Sequence, residues 1–86
     1  MKAVLVEFVG TFFFLYVILA TGNPLMIGAA LALAIYVGGS ISGGNFNPAV
    51  TIMMIAAKKQ RIDTALPYMV AQVAGGLAAL ALYQRI

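Results

Sequence analysis

The chain has no cysteine and no histidine, and among its 86 residues only Glu7 and Asp63 are acidic. Without cysteine there is no disulfide framework and no thiol nucleophile; without histidine there is no imidazole for acid and base work or for holding a metal ion. These absences remove most enzyme chemistry, so the chain is expected to be no enzyme and to need no metal and no cofactor. Charge is scarce as well. Charged residues make up 8% of the chain, against roughly 25% in an ordinary soluble domain. The five basic residues give a net charge of +3, but they are spread over the termini and one loop and build no basic face for nucleic acid. What fills the sequence instead is apolar: 64% hydrophobic residues and a mean hydropathy of +1.06. A soluble chain of this size would bury only about 60% of its surface and be marginal. The expected solvent is therefore the lipid bilayer.

The apolar residues fall into segments of different length. Residues 3–21 form a stretch broken only by Glu7, close to the roughly 20 residues needed to cross the hydrocarbon core. It is long for the apolar region of a signal peptide, and it holds a carboxylate. Thr21-Gly22-Asn23-Pro24 then gathers turn formers, and a second span is expected over 25–40, short but rich in small residues that allow close helix packing. From Gly38 to Asn47 come four glycines with serines and asparagines. This run is expected to interrupt the helix, with irregular chain from residue 41. Pro48 to Lys58 is apolar again but long enough for only about 16 Å of helix, half a bilayer. Lys58-Lys59-Gln60-Arg61 is the one charge cluster, and a third span is expected over 64–84 behind an N-cap at Asp63. The fold class read from this pattern is an all-α membrane protein of three transmembrane helices plus one re-entrant loop and half-helix (41–58).

Irregular backbone at membrane depth leaves polar groups that lipid cannot satisfy, at several kcal/mol each, so it persists only when buried in protein or lining a water-filled path. Asn47 reads as the N-cap of the half-helix and Pro48 as its first residue, both preferred for those positions. A helix start near the midplane carries partial positive charge, which raises the energy of cations and protons there while neutral molecules pass. The Asn47 amide has hydrogens to donate to a passing oxygen, and loop carbonyls outside any helix would supply acceptors.

At this point the sequence resembles a known family. Ser42-Gly43-Gly44-Asn45-Phe46-Asn47-Pro48-Ala49-Val50-Thr51 is similar to the first pore loop of aquaporins and glycerol facilitators, the major intrinsic proteins. Glu7-Phe8-Val9-Gly10-Thr11-Phe12-Phe13-Phe14 resembles that family's first helix, and Tyr68 to Gly76 its third, in the same order and spacing. The likeness covers essentially the whole chain as one aquaporin-type repeat, residues 1–86. It implies a six-span fold of two inverted repeats, usually tetrameric, of which this chain supplies the first. It also implies pore or solute-binding roles for Asn47, Pro48, Ala49, Gly43 and Gly44. Glu7, Gln72 and Thr51 are implied as supports of the loop, with Glu7 accepting from buried loop N–H groups. Two departures stand out. Asn45 occupies a position where many relatives carry histidine, leaving it a polar vestibule candidate without proton sensitivity. Ile27 aligns with a second-helix aromatic that narrows the outer constriction in many water and glycerol channels.

The expected activity is passive passage of water, and of glycerol or other small neutral solutes, through a subunit or half of a channel. The alternative is a non-conducting membrane protein that scaffolds or modulates a full-length channel. Half a pore needs a partner, either a second aquaporin-type repeat or a homo-oligomer, whether the chain is a truncation, a split half or a half-size protein. Lys2, Lys58, Lys59 and Arg61 fall on one side of the three spans and only Arg85 on the other. That bias predicts a cytoplasmic N-terminus and opposes an inverted homodimer, which would need both orientations.

Overall fold

The computed structural model describes all 86 residues, Met1–Ile86. It is entirely helical: α1 (Lys2–Thr21), α2 (Pro24–Ser42), α3 (Pro48–Ala56), a single 3₁₀ turn (Ile62–Thr64) and α4 (Ala65–Arg85). Three helical segments, Lys2–Thr21, Pro24–Ser42 and Ile62–Arg85, are long and apolar enough to cross a membrane. α1 stands between α2 and α4, and the short α3 lies against α4.

Local sequence explains where the helices turn. Gly22 ends α1 in the left-handed conformation (φ 57°) with its N–H returned to the Ile18 carbonyl, a position that costs glycine nothing. Asn23 caps α2 by accepting from the Met26 N–H at 3.0 Å, and Pro24 is the first helical residue. Pro24 thus starts α2 as well as closing the turn. At its other end α2 holds Gly38, Gly39 and Ser40 within the expected span and runs two residues beyond it, through Ile41 to Ser42. Glycine at 38, inside the helix, lets α1 approach closely. A Cβ on Gly38 would lie 2.7 Å from the Val6 side chain. The opposite seam follows the same rule. Ala71, Gly75 and Ala79 are all buried, and a Cβ on Gly75 would come within 2.7 Å of the Phe8 carbonyl oxygen.

Asp63 is not the cap of α4. It forms a two-pronged pair with Arg61 (2.6 and 3.2 Å), while Thr64, the residue before α4, makes no side-chain cap bond to it. A guanidinium two residues away offers a carboxylate a better partner than a lone amide.

The distribution of polarity is the reverse of a soluble protein. Of 15 buried residues six are polar, Glu7, Thr11, Ser42, Asn45, Thr51 and Gln72, whereas large apolar side chains such as Leu25, Tyr36 and Val37 stand on the outside. An exterior of that kind suits lipid, and the polar interior is gathered where α1, α4 and the chain between α2 and α3 meet.

Candidate functional site: the loop after α2 and its carboxylate anchor

Five residues, Gly43 to Asn47, connect α2 to α3, and their shape is set from α1. Glu7 is completely buried and its two oxygens accept four hydrogen bonds. Oε2 receives the Ser42 hydroxyl (2.7 Å) and the Asn45 N–H (3.0 Å), and Oε1 receives the Phe46 N–H (2.7 Å) and the Gln72 amide (2.9 Å). A carboxylate in lipid is costly unless its lone pairs are filled, and here they are. Gln72 also donates to Thr51 Oγ1 at 2.8 Å, so α1, the loop, α3 and α4 are pinned at one point. The Tyr68 hydroxyl adds a further tie to the Ser42 carbonyl at 2.7 Å.

The anchor dictates which way the loop's dipoles point. With the Ser42 Oγ taking the Gly44 N–H (3.2 Å) and Glu7 taking the next two, three consecutive amides are turned inward. All peptide bonds are trans, so the carbonyls of Gly44 and Asn45, opposite those Asn45 and Phe46 N–H groups, point away from Glu7. No donor in the chain bonds the carbonyls of Gly43, Gly44, Asn45 or Phe46. Left-handed backbone at Gly43 (φ 91°), Gly44 (φ 64°) and Phe46 (φ 54°) makes this path possible. At Phe46 an ordinary residue bears that strain, at a cost of about 1 to 2 kcal/mol, and its ring gives the compensation. It is 1% exposed and fills the space over Gly10, where a Cβ would lie 2.2 Å from the ring.

α3 begins as a capped helix. Asn47 Oδ1 accepts the Ala49 N–H at 2.8 Å, and Pro48 is the first helical residue. Asn47 and Ala49 are exposed and Pro48 half-buried, and the Asn47 amide hydrogens are not used within the chain. The nine residues of α3 cover about 14 Å, half of a hydrocarbon core about 30 Å thick.

Not every candidate residue joins this site. The vestibule expectation for the Asn45 side chain is corrected: it is 5% exposed and turned into the protein, donating to Thr51 Oγ1 (3.0 Å) and Gln60 Oε1 (2.8 Å). With its own N–H drawn to Glu7, the side chain is swung to the side where Thr51 and Gln60 offer acceptors. What Asn45 leaves unbonded is its carbonyl. Ile27, half-buried in the first turns of α2, is sixteen residues from Gly43, about 24 Å along the helix, and stands apart from the cluster. Sequence reasoning missed Phe46 as the wedge under the loop and Gln60 as a partner of Asn45. Gln60 was discoverable as the neutral member of an otherwise charged run.

Comparison with known proteins identifies the arrangement. A profile described as major intrinsic protein matches residues 22–86. The chain belongs to the major intrinsic protein family. Among its relatives, a protein named glycerol uptake facilitator protein-like 6 from Lactiplantibacillus plantarum is 41% identical over 90 residues, covering 94% of this chain and 42% of the relative. A protein named aquaporin Z from Photorhabdus laumondii is 48% identical over 63 residues, 72% of this chain and 27% of the relative. One named probable aquaporin PIP2-8 from Arabidopsis thaliana is 35% identical over 98 residues, 94% of this chain and 35% of the relative. The chain therefore spans about two fifths or less of the length of these relatives. No solved structure gives a significant match. Membership of this family, with three apolar helices of spanning length, makes the chain a multi-pass integral membrane protein.

Proposed function

We propose that this major intrinsic protein chain is one half of a passive transmembrane channel for water, and for glycerol or other small neutral solutes, completed by a second aquaporin-type repeat. The observation that carries the reading is the division of labour in the loop. Three of its amides, those of Gly44, Asn45 and Phe46, are taken by Ser42 and Glu7, four successive carbonyls are left free, and the run ends at an exposed asparagine whose side-chain amide hydrogens are unused. A solute oxygen would pass acceptors and then a donor at the positive end of α3, where a cation is repelled. Gly43, Gly44 and Asn45 act by their carbonyls, Asn47 by its amide, and Pro48 and Ala49 by starting the helix. Ile27 borders the outer approach. Glu7, Gln72 and Thr51 hold the loop without touching solute, and no reaction is catalysed.

The partner completes the wall from the opposite face. Arg61 and Asp63 border one recess with Met1 and Val4, so Lys2 and the 58–61 cluster share an end of the molecule. By the excess of basic residues there, that end is the cytoplasmic one. An inverted second copy of this chain would reverse that preference, which favours a distinct second repeat over a homo-oligomer.

The test is osmotic swelling of proteoliposomes containing the chain with and without a second repeat, beside Asn47→Asp. Aspartate caps a helix about as well as asparagine, so α3 stays formed while the only side-chain donor at its start becomes an anion. The expected outcome is swelling that requires the second repeat and is lost in Asn47→Asp with helix content unchanged. Swelling that survives Asn47→Asp overturns the pore assignment, and swelling no faster than empty liposomes in every combination transfers support to a non-conducting scaffold of a full-length channel.

A further inference from the structure

The turn after α3 carries a feature that a conduit does not require. α3 ends in two bonds, Lys58 N–H to the Ile55 carbonyl (3.0 Å) and Lys59 N–H to the Met54 carbonyl (2.9 Å), the pattern of a Schellman cap in which glycine usually takes the left-handed position. Here that position is Lys58, at φ 61°. A lysine therefore bears backbone strain where glycine would bear none. Lys58 and Lys59 are exposed and have no acidic partner, since the one ion pair in the chain joins Arg61 to Asp63. Together with Arg61 and Gln60 they border a recess of about 540 Å³ closed on its apolar side by Ile55 and Ile62. Ile62 is 80% exposed and Leu66, at the start of α4, 68% exposed.

Depth matters as much as charge. With the start of α3 set at the bilayer midplane, its length of about half the hydrocarbon thickness would put this turn at the level of the lipid phosphates, with Ile62 and Leu66 beside the first methylenes. Gln60 gives the site a route inward. Flanked by basic residues, it accepts from the Asn45 amide (2.8 Å) and donates to Thr64 (2.9 Å), whose hydroxyl donates to the Arg61 carbonyl.

We propose that the 58–61 turn is a binding site for the phosphate of an anionic membrane phospholipid, and that its occupancy steadies the pore loop through the Gln60–Asn45 hydrogen bond. The occupant is a lipid rather than a free anion because the recess joins unpaired ammonium groups to exposed aliphatic side chains at one depth. The inference rests on the membrane embedding of the chain and not on conduction.

The experiment offers the detergent-solubilised chain equal amounts of phosphatidylglycerol and phosphatidylcholine and reads bound lipid by native mass spectrometry. A lysine near an anionic surface contributes about fivefold, so Lys58→Ala with Lys59→Ala should lower the preference for phosphatidylglycerol by about thirtyfold. Lys2→Ala, at the same end of the molecule, should leave it in place. Both lysines are exposed, and Lys58→Gly, which relieves strain, should unfold at a higher temperature while losing part of the preference. An equal loss in Lys2→Ala, no loss in the double variant, or displacement of the lipid by inorganic phosphate would overturn the site. For the coupling, hydrogen exchange is compared in bilayers of phosphatidylcholine with and without phosphatidylglycerol. The anionic lipid should slow the amides of Gly44, Asn45 and Phe46 in the native sequence and leave them unaffected in Gln60→Ala. Slowing in both proteins, or in neither, overturns the route through Gln60.

Discussion

Replacing Glu7 by glutamine changes one atom at the point where four hydrogen bonds meet, and the structure says which bond will fail. All four partners donate to the carboxylate: the Ser42 hydroxyl, two backbone N–H groups and the Gln72 amide. A glutamine must aim its NH₂ at one pair of them. On the side of Phe46 and Gln72 it would face one fixed N–H and an amide that accepts only by flipping, which would carry the Gln72 NH₂ from Thr51 Oγ1 into the buried place of its Oε1, where it has no partner. On the side of Ser42 and Asn45 it faces one fixed donor and one hydroxyl, and a hydroxyl rotates and accepts; the Gly38 carbonyl, 3.4 Å from Ser42 Oγ, stands ready for the released hydroxyl hydrogen. The NH₂ therefore settles on the Ser42 side. The Phe46 and Gln72 bonds survive in neutral form, each weaker by up to about 1 kcal/mol, and the Asn45 N–H is left buried without an acceptor at about 1 to 3 kcal/mol. The sum, about 3 kcal/mol, is about a hundredfold in the population of the opened loop.

Amide hydrogen exchange in nanodiscs reads this directly. Asn45 should exchange about a hundredfold faster in Glu7→Gln, with Phe46 less affected, while helical circular dichroism is unchanged. Equal acceleration at both amides would refute the assignment of the NH₂ to the Ser42 side. No acceleration at either would mean that Glu7 does not hold the loop.

Two further substitutions test the packing around this anchor. Gly10→Ala should destabilise the chain by about 1 to 3 kcal/mol, because its methyl would meet the Phe46 ring at 2.2 Å, whereas Gly28→Ala, on a helix with nothing within 4 Å, should stabilise it by about 0.5 to 1 kcal/mol; unfolding in mixed detergent measures both, and like signs would refute the wedge. The Thr11 hydroxyl is buried without a hydrogen-bond partner, so the near-isosteric Thr11→Val should raise stability by about 1 kcal/mol in the same assay, and a loss would mean that the hydroxyl is bonded.

The parts of this fold that follow from length and from single improbable residues were legible in the sequence. An apolar run of half a bilayer between Pro48 and the basic cluster admits few other geometries, and a carboxylate inside an apolar span has to be paired, hydrogen-bonded or protonated, with the family resemblance pointing to buried loop donors. Direction was not legible. Gly38 and Gly39 look alike whether they break a helix or let a neighbour approach it, and the difference lies in Val6, which only the packed structure brings alongside. Asp63 precedes an apolar run as a cap would, but the competing partner Arg61 is two residues away. Asn45 could have faced either way until Glu7 fixed the plane of its peptide, and that choice depends on a contact across 38 residues.

The polar residues that such a chain carries into lipid are few, and their arrangement has one economical reading. Glu7 and Gln72, on separate spanning helices, bond to each other and to the elements between them. A cluster used only to join helices would be satisfied by that. This one goes further, because its acceptors are matched to the donors of the loop and leave the carbonyls of Gly43 to Phe46 unbonded within the chain. Four such carbonyls facing hydrocarbon would cost several kcal/mol each, more than the helix packing around them readily offsets. Asn47 is arranged in the opposite sense, its acceptor spent on the cap and its donors free. The channel proposed above would answer both demands: water held against a second repeat would donate to the carbonyls and accept from Asn47.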